Sequence, residues 1–206
     1  MYKLHTRDNY AEAISLFERA LALDPRSVEA TSWLAVALTG RALDEMTEWG
    51  AGDITRADGL VAQALAASPR SPLAHYAKGQ LLRATHRLEE AITEYETALA
   101  LNRNWVTAFA SIGRCKIWIG PIEEGIAAQE QAIRLSPRDP NIWNWNFRIG
   151  EGRLLQSRID EAILWLEKAQ NANPAPGFVH AYLAAAYALR GETERAGTFR
   201  NLPVER

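Results

Sequence analysis

Four histidines, one cysteine and a few adjacent carboxylates are the residues with which this chain could do acid–base, nucleophilic or metal chemistry. None stands in a spacing that such chemistry needs. His5, His75, His86 and His180 form no H-E-x-x-H pair and no Cys/His cluster, so no metal site is expected. No G-x-x-x-x-G-K-[ST] or G-x-G-x-x-G loop is present to cradle phosphates, so no cofactor is expected. Glu89-Glu90 and Glu123-Glu124 each open an amphipathic run. Carboxylates in a first helical turn favour the positive end of the helix dipole, and as solvated charges they need no acid–base role. Cys115 falls near the core side of a helical segment and reads as an inert buried thiol. The sequence therefore points away from an enzyme and towards a binding role.

The balance of residue types agrees with that. Apolar residues make up 48% and charged residues 23% of the chain, as in a well-packed soluble protein. The net charge of −2 lacks the basic excess of a nucleic-acid binder. A single cysteine forms no internal disulfide, which fits the cytoplasm. The polar stretch from Met1 to Tyr10 has no secretory h-region, and apolar runs such as Tyr182 to Leu189 fall short of the roughly 20 residues that a membrane span requires.

The elements that position these residues repeat along the chain. AEAISLFERALALDPRS (Ala11 to Ser27) returns as LEEAITEYETALALNRNW (Leu88 to Trp105), IEEGIAAQEQAIRLSPRD (Ile122 to Asp139) and IDEAILWLEKAQNANPAP (Ile159 to Pro176), with a divergent copy at Ile54 to Ser71. Within each copy a small residue precedes an alanine by seven positions: Ala13 and Ala20, Ala57 and Ala64, Ala91 and Ala98, Gly125 and Ala132, Ala162 and Ala169. Five positions later comes a turn, at Pro25, Pro69, Arg103, Pro137 and Pro174. A further small residue stands twelve positions before the first one, in the pairs Gly79 and Ala91, Gly113 and Gly125, Gly150 and Ala162, Ala184 and Ala196. Two antiparallel helices joined by a tight turn approach closely only where side chains are small, so these pairs mark hairpin contacts.

Pro69 to Arg103 and Arg103 to Pro137 are each 34 residues apart, the period of a helix–turn–helix repeat. In this register the chain resembles the tetratricopeptide repeat (TPR) family over almost its whole length. The expected fold is all-α: a right-handed α-solenoid of about five hairpins plus one N-terminal helix. We read residues 1–206 as a single domain, with a lone helix over 9–23 and hairpins over 28–67, 72–101, 106–135, 140–171 and 177–201. Ser71-Pro72 and Asp139-Pro140 read as N-caps followed by proline at the first helical position. Ten extra residues in the first hairpin extend its A helix through Leu43 and Met46. Gly50 and Gly52 then break it, and Asp53 caps the next helix. Lys78 and Lys116 occupy positions that are usually apolar in this repeat, so their side chains are expected to reach the edge. The first helix lacks a mate and the last has no solvating helix after it, so both ends read as cut, or as covered by self-association.

The resemblance also implies a partner-binding groove along the A helices. Carried onto this sequence, its positions include Trp33, Tyr76, Gln80, Arg83, Ser111, Arg114, Trp118, Phe147, Arg148, Phe178 and Tyr182. Trp, Tyr and Arg carry much of the binding energy at protein interfaces. Arg83, Arg114 and Arg148 would form a positive track for a partly apolar, acidic protein or peptide segment. Against this stands packing of the aromatics on neighbouring helices, with the arginines paired to Glu29, Glu151 or solvent. The Lys/Asn clamp by which some members of the family grip chaperone tails is not matched, since Ser32, Val36, Ala77, Thr107 and Ser111 stand there.

GQLLRATHRLEEAITEYETALALNRNW, QEQAIRLSPRDPNIW and RIGEGRLLQSRIDEAILWLEKAQNANPA are similar to a narrower group, the repeat regions behind class III adenylate/guanylate cyclase domains of rhizobial and other alpha-proteobacteria. The likeness runs from Asn9 to Ala196 and departs where the Gly197 to Arg206 tail does not continue the expected helix. It implies a regulatory or docking scaffold of a bacterial signalling protein; the charge balance and the short apolar runs argue against nucleic acid and membrane insertion, and the single cysteine fits the cytoplasm. A self-associating element of a cyclase-like or transcriptional-regulator protein is the competing reading.

Overall fold

The computed structural model describes residues 7–43, 50–173 and 177–200. Among them all regular structure is helical: α1 (Arg7–Leu23), α2 (Val28–Leu43), α3 (Gly50–Ala67), α4 (Pro72–Ala84), α5 (Leu88–Leu101), α6 (Val106–Ile119), α7 (Ile122–Leu135), α8 (Ile142–Leu155), α9 (Ile159–Ala172), α10 (Gly177–Leu189) and α11 (Thr193–Arg200). The helices fall into two compact units, Met1–Cys115 and Lys116–Arg206, with the division inside α6.

In the first unit α2 packs on α3 and α4 on α5, around a core that includes Ile14, Leu34, Leu38, Ala57, Val61, Ala77 and Leu81. Local signals set the helix starts. The Ser27 and Ser71 hydroxyls accept from the backbone N–H of Ala30 and Ala74, each at 3.2 Å, and Pro72 follows Ser71 at the start of α4. The small-residue contact is real at Gly79, where any added Cβ would run into the Tyr95 ring of α5. In the second unit the core gathers Trp143, Phe147, Ile163, Leu166, Val179, Leu183 and Tyr187. There a Cβ on Gly150 would meet Leu166 Cγ at 2.7 Å and the Ala162 carbonyl oxygen at 3.2 Å.

The turns inside the hairpins share a device that hydropathy does not show. His86, Gly120, Ser157 and Gly191 have positive φ (60°, 123°, 60° and 87°) at matching points between paired helices. The Arg87, Arg158 and Glu192 amides reach back to the Leu82, Arg153 and Tyr187 carbonyls at 2.9 Å, closing the helix ends.

Three local expectations are corrected. Gly50 and Gly52 do not stand ahead of the next helix but within the first turn of α3, where backbone amides need no intrahelical partner. Asp53 is not a cap. It is buried, and its carboxylate receives Arg41 Nε and Nη2 of α2 at 2.8 and 2.7 Å. Pro140 does not begin a helix either. Asp139 accepts from the Asn141 amide at 2.9 Å, Pro140 and Asn141 form a turn, and α8 starts at Ile142. At the other end, helix α11 runs past Gly197 to Arg200. Met46, Pro174 and the residues after Arg200 lie outside the described segments.

The two unexpected lysines pair across their hairpins. Lys78 Nζ lies 2.6 Å from Glu94, and Lys116 Nζ 2.8 Å from Glu124. Glu94 also meets His75 Nδ1 at 2.7 Å, while His75 Nε2 lies 3.0 Å from the Pro69 carbonyl. Burial alone would push the Glu94 carboxyl up, but the His75 and Lys78 hydrogen bonds and their charge outweigh it and hold it below the usual range. A carboxyl lowered in the folded state stabilises fully above its unfolded value of about 4.3 and loses that contribution as pH falls through the folded value. Glu94→Gln is therefore expected to lower the urea midpoint at pH 7, with the gap to the parent protein closing towards pH 3. A gap that stays constant over this range would show that the carboxylate charge is not what matters.

Candidate functional site

The eleven groove positions are divided between the two units. In the first, α4 carries Tyr76, Gln80 and Arg83 one turn apart, so the three side chains form a row. Gln80 Nε2 donates to the Tyr76 hydroxyl, and Gln80 Oε1 accepts from Arg83 Nη2 at 2.7 Å and Nε at 3.2 Å. Tyr76 stacks on Trp105, with centroids 4.9 Å apart and planes at 29°, and tilts against Tyr95 at 5.6 Å. The row is deeply set, and Arg83 is only 8% exposed. Burial drives the phenol of Tyr95 far above its ordinary value and the Cys115 thiol up to about 11, while the nearby Arg83 charge works against both shifts. The Cys115 thiol is thus closed to nucleophilic chemistry, as expected from its surroundings. Trp33, Ser111 and Arg114 are half-buried on α2 and α6.

In the second unit an aromatic cluster surrounds an ion pair. Arg148 Nη1 donates to Glu151 at 2.8 Å, and Tyr182 Oη donates to the other Glu151 oxygen at 3.2 Å. The Arg148 guanidinium also lies over the rings of Phe147 (4.8 Å) and Trp118 (5.6 Å). Phe147 meets Phe178 and Tyr182 edge-on, each at 4.9 Å, and Trp143 touches Phe178 at 5.9 Å. Burial, and then the Glu151 carboxylate, push the Tyr182 phenol up. Two of these rings open to solvent, Trp118 at 43% and Phe178 at 44%, whereas Phe147 is buried.

The structure thus brings Tyr76, Gln80 and Arg83 together in one row, and Phe147, Arg148, Phe178, Tyr182 and Trp118 in one cluster. Trp105 and Trp143 escaped the sequence reading. Both lie at the beginning of an A helix, and an aromatic there, facing an aromatic of a neighbouring helix, was the signal available. Among the described residues no group of His, Cys, Asp and Glu could hold a metal ion, and no helix is long and apolar enough to cross a membrane.

Comparison with known proteins places the repeats. Residues 6–45 and 46–104, just under half of the chain, match the sequence profile of the tetratricopeptide repeat. Tetratricopeptide repeat protein 33 of Xenopus laevis is 23% identical over 123 residues, 60% of this chain. The match spans 43% of that relative's length. Among solved structures, a thermophilic TPR protein of Thermus thermophilus superposes with a TM-score of 0.68 at 23% identity, covering 87% of this chain and 91% of that one. YrrB, described as a TPR protein with an unusual peptide-binding site, gives 0.58 at 17% identity, covering 89% and 88%. The fold is all-helical and matches that of TPR solenoids, a fold consistent with a protein–protein interaction module.

Proposed function

We propose that the A-helix faces hold a segment of another protein, and that the chain binds rather than catalyses. The observation that carries this reading is the aromatic cluster of the second unit. Trp118 and Phe178 stay open to solvent on a foundation of Phe147, Tyr182 and the closed Arg148–Glu151 pair. Large rings held rigidly at a surface are the side chains that most often carry interface energy. The peptide-binding description of YrrB supports the same reading for this chain. An acidic character of the partner follows from the arginines of the groove positions. One solenoid domain over residues 1–206, a cytoplasmic setting and a docking role in a bacterial signalling protein belong to the same proposal, the last carried by the resemblance to cyclase-linked repeat regions.

The test is capture of a partner by the full chain, followed by titration of the purified pair. Trp118→Ala and Phe178→Ala are each expected to weaken binding about tenfold or more, as a loss above about 1.4 kcal/mol implies. Unchanged affinity in both variants would remove these faces as the site. Light scattering at high micromolar concentration addresses the competing reading of self-association, which a strictly monomeric mass would end.

A further inference from the structure

We infer that Arg83 is an anchor for one carboxylate of the partner, and that of the arginines on this face Arg148 is not. The inference rests on the reading above and assigns its acidic preference to a single side chain. Three other arginines with buried or partly buried side chains each hold a carboxylate of the chain itself. Arg41 has Asp53 at 2.7 Å, Arg148 has Glu151 at 2.8 Å and Arg153 has Glu123 at 2.7 Å. Arg83 is as buried as Arg148, yet among the described residues no carboxylate lies within ion-pair distance of it. The groups against it carry no negative charge: the Gln80 amide and, pushed towards their protonated forms by burial, the Tyr95 phenol and the Cys115 thiol, the last also within reach of the Arg114 charge. A guanidinium set this deep without a counter-charge is costly, and supplying one is correspondingly favourable.

The geometry leaves one way in. Gln80 Oε1 occupies Nε and Nη2, and Tyr76 holds the Gln80 amide in that orientation. Among the described residues Nη1 donates to no acceptor and is not fully enclosed, and the Tyr95 hydroxyl, itself without an acceptor, lies beside the guanidinium. The second hydrogen of Nη2 points the same way. The Nη1–Nη2 edge can therefore take a carboxylate end-on with two parallel hydrogen bonds. Arg148 offers no such edge, because Glu151 already fills its Nη1 and its Nε is enclosed.

The full chain, labelled with nitrogen-15, can be titrated by NMR with four probes, following the Trp105 indole N–H, which is carried on the ring stacked against Tyr76. N-acetylglutamate N-methylamide presents a side-chain carboxylate and N-acetylalanine a chain-end one. N-acetylglutamine N-methylamide is the neutral control, and sulfate the inorganic one. A saturable shift with either carboxylate, in the millimolar range, and its weakening by at least tenfold in Arg83→Gln are expected, while Arg138→Gln on the exposed surface leaves it intact. The carboxylate that binds more tightly identifies the source. Equal shifts with the glutamine probe or with sulfate, no shift with either carboxylate, or unaltered binding by a folded Arg83→Gln protein would overturn the assignment. Loss of this site with partner capture intact refutes the anchor alone. Partner capture that ignores Trp118→Ala and Phe178→Ala refutes the wider reading.

Discussion

Glu151→Ala is expected to lower the stability of the protein by about 3–5 kcal/mol, the cost of stranding one member of a buried ion pair. Both side chains are 8% exposed, so water cannot take over the solvation that the carboxylate provides. Its removal leaves the Arg148 charge among Phe147, Trp118 and an already unpartnered Nε, and it deprives the Tyr182 hydroxyl of its acceptor. At about 2–4 °C per kcal/mol for a chain of this size, the melting temperature should fall by roughly 10 °C. Removing both charges together tells a different story. Arg148→Met with Glu151→Leu restores apolar volume without leaving a lone charge, and such replacements are neutral or stabilising in other proteins. Thermal or urea unfolding of the three proteins decides the matter. If Glu151→Ala costs under about 1 kcal/mol, or the double variant is the worst of the set, the pair is not buried as described.

The pair also shows which parts of the molecule can be read without coordinates. Contacts fixed by the repeat period were legible, because the period is a property of the chain itself. Gly79 and Gly150 were picked out by spacing alone, and each lies against the helix expected. What the groove residues touch was not legible in the same way. Arg83 and Arg148 are both groove positions on A helices, although Arg83 follows Leu82 and Arg148 follows Phe147. One ends beside Gln80 and the other on Glu151, three positions further on in its own helix. That difference arises from which neighbour one turn away, before Arg83 or after Arg148, presents the acceptor. Asp53 illustrates the same limit. Its sequence neighbourhood of glycines favours a cap, but a buried bidentate contact with Arg41, twelve residues away, is stronger than a capping hydrogen bond and wins. Glycine at a helix start is read as a breaker only if the helix is assumed to have begun already.

Tyr95 and Gly79 offer the second large effect, and they test the hairpin contact itself. Tyr95 is wholly enclosed, with its ring over the bare Cα of Gly79 and beside Tyr76. Tyr95→Ala should cost about 3–5 kcal/mol, the loss from deleting a buried aromatic side chain and leaving a cavity. Gly79→Ala acts in the opposite sense, since its methyl group enters space the ring fills. Overpacking of this kind costs about 1–3 kcal/mol, although alanine favours helix by about 1 kcal/mol over glycine. If ring and backbone compete for the same volume, the two losses cannot add. With the ring gone the Gly79→Ala methyl group enters the cavity, so the double variant should be no less stable than Tyr95→Ala and recover up to about 1 kcal/mol through helix propensity. Urea denaturation of the four proteins gives the coupling directly. Additive losses would mean that α4 and α5 do not meet at Gly79, and the spacing argument that located the hairpins would lose its physical basis there.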